Sequence, residues 1–389
     1  MKGPRIKAKV APWETKRIGD FTTVISGGTP STRNAHYWGG DIRWMSSGEL
    51  NLKRVYEVVG RITDAGLKNS STRLVPRKCV LIGLAGQGKT RGTAAINYVD
   101  LCTNQSIASI IPNDTFIPEY LYFNVDSRYN ELRGLSTGDG GRGGLNLSII
   151  KNFIIPFPDK KEQAAIAIVL SDIDALMGSL ERLVIKKRGI MQGTMQLLLT
   201  GETRLPGFTG LWNEKQLGEI SYIGRGRVIN HKEIDASINQ QYPVYSSQTS
   251  NDGIMGYLDS YMFDGEYVTW TTDGEKAGTP FYRSGRFNCT NVCGTIKLKN
   301  DNPQFIAYLL KREMPKYVSR NLANPKLMND IAKKIELRIP SSKEEQIAIA
   351  KVLGDMDSEI NQLERKRNKY KMIKQGMMQQ LLTGKIRLI

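Results

Sequence analysis

The glycine-rich stretch from Gly83 to Thr90 has the residue types and spacing of a phosphate-binding loop. It reads GLAGQGKT and follows the apolar run VLI, which is the pattern of nucleotide hydrolases. A phosphate cradle requires the loop to open a helix, because the first N–H groups of that helix must face the phosphates. The next residues, Arg91-Gly92-Thr93, make a poor first helical turn, and no convincing acidic partner for magnesium follows. We therefore predict a loop between two strands, with a nucleotide-binding enzyme built on Lys89 as the alternative.

Other stretches suggest chemistry less strongly. Asn302-Pro303-Gln304-Phe305 is similar to the motif of adenine methyltransferases, but it lacks the second proline, and a helix start with proline at its first position explains it better. Pro158-Asp159 has no Glu-x-Lys at nuclease spacing. His36 and His231 are too few and too isolated for a catalytic triad or a metal centre. We predict no catalytic residues, no metal site and no cofactor in this chain.

Cysteine usage and charge narrow the class of protein. Four cysteines in 389 residues favour a reducing compartment and free, buried thiols, even for the closely spaced Cys289 and Cys293. No apolar run approaches the ~18 residues of a membrane span, and the N-terminus lacks the apolar core of a signal peptide. We therefore expect a soluble cytoplasmic protein; its association with the nucleoid of a prokaryotic cell is implied only by a family resemblance.

The net charge of +17 is concentrated outside the helical segments described below. Residues 1–159 hold 21 basic and 13 acidic side chains, an excess of eight, and residues 206–342 hold 17 and 14, an excess of three. Such an excess suits a polyanionic partner, and it favours nucleic acid over a merely solubilising role.

A long segment of the sequence occurs twice, and the regions between its copies must be positioned by it. KKEQAAIAIVLSDIDALMGSLERL…QGTMQLLLTGETRL, starting at Lys160, returns from Lys343 as KEEQIAIAKVLGDMDSEINQLERK…QGMMQQLLTGKIRL, and 25 of the 46 aligned residues are identical. Apolar residues in both copies recur at steps of three and four, as on one side of a helix. They are Ile166, Val169, Ile173, Leu176, Leu180, Leu183 and Ile190 in the first copy, and Ile349, Val352, Met356, Ile360, Leu363, Tyr370, Ile373 and Met377 in the second.

Each copy predicts a helix of roughly 60 Å, at 1.5 Å per residue. A rod of that length needs a partner of similar length, and the other copy is the obvious one. Each rod ends at Thr-Gly (Thr200-Gly201 and Thr383-Gly384), as helix C-termini commonly do. For contact between the rods we predict Ile173, Leu180, Met356 and Leu363.

The regions before the two rods follow one plan. Trp13, Ile18 and Gly19 correspond to Trp212, Leu217 and Gly218. Short apolar runs separated by glycine and polar clusters predict strands and loops in both regions, and the short helices predicted from Ile117 and Pro303 also correspond. The predicted fold class is α+β: two mixed α/β domains (1–159 and 206–342) separated by two long antiparallel coiled-coil helices (160–205 and 343–389). The arrangement is pseudo-twofold and cyclic, so we expect the chain termini to be adjacent.

These residues resemble the specificity subunits of type I restriction–modification systems over essentially the whole chain. The resemblance rests on the duplicated K-x-E-Q … A-I-A … V-L … D-x-D … L-E-R … L-L-T-G segments and the W-x4-[IL]-G-[DE] openings. It also rests on the I-P strand before each rod. In that family the duplicated segments are conserved regions and the intervening regions are target recognition domains.

The resemblance implies a non-catalytic subunit that binds double-stranded DNA. Each recognition domain would read one half of a bipartite, asymmetric sequence, and the helices would set the spacing and dock two methyltransferase subunits. S-adenosylmethionine, ATP and magnesium would belong to partner subunits, the complex would methylate adenine at N6, and two restriction subunits are optional further partners.

Base edges are discriminated by polar side chains, mostly in the major groove, so we predict DNA contacts in the polar loops of both domains. In the first domain the candidates are Ser31, Thr32, Arg33, Asn34, Lys89, Arg91, Arg133 and Arg142. In the second they are Arg225, Arg227, Asn230, Lys232, Ser247, Gln248, Lys276, Arg320, Asn321, Asn324 and Lys326. For contact with partner subunits we predict Gln192, Gln196, Gln375 and Gln379.

Two alternatives to a DNA-specificity subunit remain open at the level of sequence. In a nucleotide hydrolase, Lys89→Ala would abolish tight ATP binding. A structural adaptor that uses only its rods would show no salt-sensitive binding to duplex DNA.

Overall fold

A computed structural model gives the fold of the chain and describes residues 6–7, 13–86, 88–136, 143–319 and 324–388. The chain divides into two compact units. Unit 1 comprises Met1–Glu181 and Arg365–Ile389, and unit 2 comprises Arg182–Glu364. Both divisions fall inside long helices, so each unit contains half of each helical repeat.

Short strands and short helices precede each of the two long helices. The strands are β1 (Ile6–Lys7), β2 (Glu14–Arg17), β3 (Val24–Ser26), β4 (Trp38–Met45), β5 (Arg54–Val55), β6 (Arg61–Ile62), β7 (Leu74–Val75), β8 (Val80–Gly83), β9 (Ala94–Asn97), β10 (Leu101–Thr103), β11 (Ile107–Ile110), β12 (Ile154–Phe157), β13 (Trp212–Gln216), β14 (Ser221–Arg225), β15 (Tyr242–Tyr245), β16 (Ile254–Leu258), β17 (Phe263–Asp264), β18 (Tyr267–Thr271), β19 (Pro280–Arg283), β20 (Arg286–Cys289), β21 (Cys293–Leu298), β22 (Glu336–Pro340) and β23 (Arg387–Leu388). The α-helices are α1 (Ile18–Phe21), α2 (Asp64–Lys68), α3 (Pro118–Ser127), α4 (Tyr129–Gly134), α5 (Leu147–Asn152), α6 (Lys160–Thr200), α7 (Leu217–Ile220), α8 (His231–Asp235), α9 (Pro303–Glu313), α10 (Asn329–Lys333) and α11 (Lys343–Leu381). Short 3-10 turns lie at Ala35–Tyr37, Ser47–Leu52, Ser250–Gly253 and Met314–Lys316.

Unit 1 is built on a five-stranded sheet in the order β3-β11-β8-β9-β5 and a four-stranded sheet in the order β6-β4-β10-β7. The central strand β8 is apolar and buried on both faces, as an interior strand requires. Because side chains alternate along a strand, Val80 and Ile82 enter the core that contains the helices, while Leu81 enters a second core with Met45 and Val55. Helix α3 therefore covers one face of the five-stranded sheet, and the start of α6 and the end of α11 pack into the same core.

Unit 2 has two four-stranded sheets in the orders β14-β21-β18-β19 and β16-β15-β20-β17. Val268, Trp270 and Ile296 of the first sheet share a core with Phe305 and Leu309 of α9. The helix–sheet packing thus repeats that of unit 1, as the sequence correspondence predicted.

The two long helices pair antiparallel within each unit. In unit 1, Lys374 Nζ lies 2.6 Å from Asp174 Oδ1 and Arg367 Nη1 lies 2.6 Å from Glu181 Oε2. Partner numbers therefore fall on one helix as they rise on the other. In unit 2 the same order holds, because Lys187 lies 2.8 Å from Glu359, and Arg204, just past the end of α6, lies 2.6 Å from Glu345 near the start of α11. Strand β1 also pairs with β23, so the two chain ends meet as expected.

On α6 the predicted apolar stripe is correct up to Leu180 and wrong at Leu183 and Ile190. On α11 it is wrong at Ile373, whereas the predicted Met377 packs against the core of unit 1. Leu183, Ile190 and, on α11, Ile373 are 38%, 47% and 39% exposed. The buried positions on the second half of α6 are instead Val184, Met191 and Leu198. A helix of 3.6 residues per turn drifts against a seven-residue repeat, so the buried face shifts by one residue along a long rod.

Among the described residues, α6 is the one helix that is long and apolar enough, by length and composition, to cross a membrane. Core helices of soluble proteins pass the same test. Ile166 and Leu170 of this helix lie in the core of unit 1, and Glu162 near its start is buried against Arg387. We therefore assign its apolar character to packing within the protein.

The repeated Glu-Gln at the start of each rod joins the rod to the strands and the short helix beside it. Gln163 accepts a hydrogen bond from the Ile117 N–H at 2.9 Å and donates to the Pro158 carbonyl at 2.9 Å. Gln346 repeats this with the Asn302 N–H at 2.8 Å and the Pro340 carbonyl at 3.1 Å. Both amides are buried, so the repeated glutamine fixes the start of α3 or α9 against its rod.

The glutamate before that glutamine joins the start of one rod to the arginine that follows the end of the other rod. Glu162 accepts hydrogen bonds from Arg387 at 2.7 Å and from the Trp13 indole N–H at 3.1 Å. In unit 2, Glu345 accepts two hydrogen bonds of 2.6 Å from Arg204. Gly384 and Gly201 end the rods with φ of 72° and 74°, and an added Cβ there would meet the Trp13 and Trp212 rings.

Candidate nucleic-acid interface

Strand register brings several loops of unit 1 together at one end of its five-stranded sheet. Ala108 pairs with Ser26, Ile107 with Gly83, and Ile82 with Ala94. The end of β3, the start of β11, the end of β8 and the start of β9 therefore lie at one edge. We call the loops that emerge there (residues 27–34, 46–52, 84–93, 104–106 and 143–146) the loop end of unit 1.

Backbone hydrogen bonds tie these loops to one another. The Gly28 N–H donates to the Thr103 carbonyl at 2.9 Å, and the Leu84 N–H donates to the Ser106 carbonyl at 2.8 Å. Leu145 in turn donates to the Leu84 carbonyl at 2.8 Å. Gly27 is required here, because a Cβ at that position would lie 1.9 Å from the Thr103 oxygen.

Unit 2 builds the same loop end from corresponding residues. Arg225 pairs with Gly294, Thr271 with Cys293, and Trp270 with Pro280. The loops at residues 226–232, 246–249, 272–279, 290–292 and 324–327 therefore emerge together, and we call them the loop end of unit 2.

The tethering bonds are repeated as well. The Arg227 N–H donates to the Cys289 carbonyl at 3.2 Å, and the Thr272 N–H donates to the Val292 carbonyl at 3.1 Å. Gly226 corresponds to Gly27, since its Cβ would lie 1.9 Å from the Cys289 oxygen. The same backbone frame thus presents two different sets of side chains.

The candidate residues of the loop end of unit 1 differ in exposure and in hydrogen bonding. Ser31, Thr32 and Arg33 are exposed, while Asn34 caps the following turn by accepting a hydrogen bond from the His36 N–H at 3.1 Å. Lys89 is exposed in the β8–β9 hairpin.

Two further arginine candidates of unit 1 belong to the β8–β9 hairpin or are bonded to it. Arg91 is 8% exposed, and its Nε has no hydrogen-bond partner. Arg133 donates to the Gly88 carbonyl and, at 2.7 Å, to the Tyr129 hydroxyl, which braces the hairpin. Arg142 lies outside the described residues. DNA contact by each of these residues remains a prediction.

The stretch with the phosphate-loop pattern lies in the hairpin between β8 and β9. Strand β9 returns antiparallel to β8, and the Gly92 N–H donates to the Gly83 carbonyl at 2.8 Å. No helix begins between these strands in the described residues of the stretch, so the helix N-terminus that a phosphate cradle needs is missing there. The predicted strand-to-strand loop is correct, and the nucleotide-hydrolase alternative has no support.

Several candidate cations in the loop end of unit 2 are paired with acidic or polar side chains. Arg227 is hydrogen-bonded to Glu233, which raises the pKa of its guanidinium. Lys276 lies 3.0 Å from Glu275 and Lys326 lies 3.6 Å from Asp273.

The remaining candidates of unit 2 are mostly exposed or bound to the loop itself. Arg225 donates to Asn329 at 2.9 Å, and Gln248 donates to the Ile254 carbonyl. Asn230 caps α8 through the Glu233 N–H at 2.9 Å. Lys232 and Asn324 are exposed and Ser247 is half-buried. Arg320 and Asn321 lie outside the described residues.

A Ser-Ser pair in unit 1 was missed at the level of sequence. Ser46-Ser47 follows β4 as Ser246-Ser247 follows β15, and the Asn104 N–H donates to the Met45 carbonyl at 3.0 Å, which places the pair at the loop end. The repeated Ser-Ser dipeptide could have indicated this position. Only Ser247, in the second copy, was included among the candidates. We add Ser47 to the candidate readers of unit 1.

The candidates on the rods divide into buried and exposed sets. Ile173 and Leu180 are 8% and 6% exposed, and Met356 and Leu363 are partly buried against the core of unit 2. Gln192, Gln196, Gln375 and Gln379 are all exposed, so they are available to a partner, and their role remains a prediction.

All four cysteines are free and buried. Cys289 and Cys293 lie 3.4 Å apart through their sulfur atoms, and this contact together with burial raises the pKa of the Cys289 thiol. Burial raises the pKa of Cys79 to about 12. Among the described residues, no group of three or more potential ligands could hold a metal ion.

Comparison with known proteins gives a consistent result. The family model of the type I restriction modification DNA specificity domain matches residues 11–187 and again residues 210–370. The chain is 35% identical over 221 residues (56% of this chain and 81% of the relative) to a candidate type I specificity subunit of Mycoplasma pneumoniae. It is 41% identical over 150 residues to the specificity subunit of the type I restriction enzyme MpnII of the same organism, covering 38% of this chain and 44% of that one. The fold matches the crystal structure of a type I restriction-modification S subunit from M. genitalium with a TM-score of 0.71 at 17% identity, over 98% of this chain and 99% of that one.

Proposed function

This chain belongs to the type I restriction–modification DNA specificity family, and from that premise we propose that its two loop ends read the two halves of one bipartite DNA sequence. The chain is a specificity subunit, which contributes recognition and not catalysis. Support for two different half-sites comes from one observation: the same backbone frame occurs twice and carries unlike side chains, such as Lys89 and Arg33 in one unit and Arg227 and Ser247 in the other.

The partners follow from the same premise. Double-stranded DNA is bound through the loop ends of two domains whose excess positive charge suits a phosphate backbone. Two methyltransferase subunits dock on the rods, supply S-adenosylmethionine chemistry on adenine N6, and connect to restriction subunits that use ATP and magnesium. The complex acts in the cytoplasm, where its DNA substrate lies.

A domain exchange tests the modular reading. Residues 206–342 are replaced by the corresponding region of another specificity subunit, the chain is expressed with its own methyltransferase subunit, and methylated sites are mapped by sequencing. We expect one half of the methylated sequence to change and the other to persist. The matched exchange of residues 13–159 should change only the other half.

Two outcomes contradict the proposal. If a single exchange altered both halves, the units would not read independently. If neither exchange altered the methylated sequence while the complex stayed active, base recognition would lie outside this chain.

A further inference from the structure

Each unit has a groove beside the C-terminal end of one rod, and the two grooves differ in size and charge. In unit 1 the groove has a volume of about 730 Å³ and lies between α11, β12 and the end of α3. The corresponding groove of unit 2, between α6, β22 and the end of α9, has a volume of about 260 Å³. Leu382 and Thr383 of the first groove correspond to Leu199 and Thr200 of the second, so the last turn of the rod is the same in both and the surrounding walls differ.

Three of the corresponding wall positions have larger side chains in unit 2. Thr15, Ser127 and Pro156 line the groove of unit 1. The corresponding residues of unit 2 are longer and charged, namely Glu214, Arg312 and Arg338. Both correspondences with the strands follow from register, because Thr15 pairs with Pro156 as Glu214 pairs with Arg338.

The charged residues of unit 2 fill their groove and pair within it. Glu313 lies 3.3 Å from Arg312 and 2.5 Å from Lys316. Arg312 and Arg338 also point to the last carbonyls of α6, with Arg312 Nη1 lying 3.4 Å from the Leu199 oxygen. These interactions satisfy the C-terminal carbonyls of the helix and leave little room for a partner.

The groove of unit 1 is open, apolar and electropositive. Its floor includes Ile155, Met177, Met378 and Leu382, and methionine side chains adapt readily to an incoming apolar surface. Its charged lining residues are all basic (Arg128, Lys371 and Lys374), with no carboxylate among the lining residues of this groove. Arg128 and Lys374 are paired with Glu131 and Asp174, while Lys371 is exposed and has no ion-pair partner in the described part of the chain.

We propose that the two units bind the methyltransferase subunit unequally, and that the groove of unit 1 receives an apolar segment with acidic flanks from the first copy. This inference rests on the proposed function for the identity of the partner. Charge complementarity selects acidic flanks, because the exposed Lys371 has no ion-pair partner in the described part of the chain, whereas Arg128 and Lys374 are already paired. The exposed Gln375 and Gln379 line the same groove and supply hydrogen bonds to such a segment. Unit 2 binds the second copy on a filled surface and therefore more weakly.

Titration of the full chain with its own methyltransferase subunit tests this inference. Native mass spectrometry and calorimetry should show a one-to-one complex first, with the second copy adding at a concentration at least about tenfold higher, a difference of about 1.4 kcal/mol. Ser127→Arg copies the wall of unit 2 into unit 1 and should weaken the first step at least roughly tenfold. The reciprocal Arg312→Ser should strengthen the second step.

Two charge-reversal variants distinguish the effect of charge at the groove from the effect of charge elsewhere on α11. Lys371→Glu should weaken the first step about fivefold or more. Lys369→Glu makes the same charge change at an exposed position of α11 outside the groove lining, and it should leave the first step unchanged.

The outcomes are distinguishable. Two equal binding steps, or equal effects of Lys371→Glu and Lys369→Glu, overturn this inference and leave the proposed function intact. A complex that fails to form with any variant or with the unaltered chain overturns the proposed partner and this inference together. Self-association of the unaltered chain that Ser127→Arg abolishes would assign the groove to a second copy of this chain and would also overturn it.

Discussion

The two units share a backbone frame and differ in how their charged side chains are paired. In unit 1, the exposed Arg33 and Lys89 have no ion-pair partner among the described residues. In unit 2, Arg227 pairs with Glu233, Lys276 with Glu275 and Lys326 with Asp273. Residues 1–159 also hold the larger excess of positive charge.

This difference separates what the fold requires from what recognition can vary. The backbone frame requires the same residue at three pairs of corresponding positions, because these positions are crowded or buried. The pairs are Gly27 and Gly226, Gln163 and Gln346, and Glu162 and Glu345. The loop side chains and the groove walls have no such constraint. We infer that unit 1 contributes most of the electrostatic attraction to a polyanion, and that unit 2 contributes more through specific geometry.

The largest expected effect comes from the two buried glutamates. Glu162→Gln should lower the free energy of unfolding of unit 1 by about 3–5 kcal/mol, because it removes one partner of a buried ion pair. Glu345→Gln should cost unit 2 less, since Glu162 also accepts hydrogen bonds from the Trp13 indole and the Leu388 N–H. The buried Trp212 indole N–H, in contrast, has no acceptor among the described residues. Urea denaturation followed by fluorescence and circular dichroism measures both losses.

Glu181→Gln is the control for that comparison. Glu181 pairs with Arg367 on the exposed side of the rods, and surface pairs contribute about 1 kcal/mol or less. Equal losses for Glu162→Gln and Glu345→Gln would show that the extra hydrogen bonds of unit 1 add nothing to its stability.

A smaller and symmetric effect is expected at the two crowded glycines. Gly27→Ala and Gly226→Ala each place a Cβ 1.9 Å from a carbonyl oxygen, which should cost about 1–3 kcal/mol through displacement of the loop. Each variant should impair methylation that depends on its own half-site, as measured by sequencing after expression with the methyltransferase subunit.

Gly48→Ala makes the same substitution in the loop end of unit 1, where the nearest side-chain atom is 3.8 Å from the added Cβ. It should leave stability and methylation unchanged. Loss of both half-sites in Gly27→Ala would contradict independent reading by the two units.

The sequence predicted the elements that the repeat encodes. The rods, their Thr-Gly ends, the strand before each rod and the adjacent termini all follow from a pattern that occurs twice along the chain. The start of each rod at Lys160 and Lys343 was correct because a helix start depends on nearby residues.

What the sequence could not predict depends on distant partners. The shift of the buried face from Leu183 to Val184 accumulates from helical geometry over many turns. The pairing of Arg227 with Glu233 depends on loop geometry, and the open groove beside Gln375 depends on the lengths of three side chains from two strands and a helix. Periodicity contains no information on such contacts.

The smallest expected effect concerns single loop cations. Each phosphate contact in duplex DNA adds about 0.9 to the slope of log affinity against log salt. Lys89→Ala should reduce this slope by about one, because Lys89 is exposed and has no ion pair in the described part of the chain. Lys276→Ala should reduce it by less, since its ammonium already lies 3.0 Å from Glu275. The measurement is fluorescence anisotropy of the assembled methyltransferase complex on a duplex that contains its target.

Lys369→Ala removes the same charge from α11, outside both loop ends, and should leave the slope unchanged. If Lys276→Ala reduced the slope as much as Lys89→Ala, the ion pair with Glu275 would have to open on DNA at negligible cost. Paired and unpaired cations would then be equivalent readers of the backbone. In that case the contrast between the units would reduce to their numbers of basic residues.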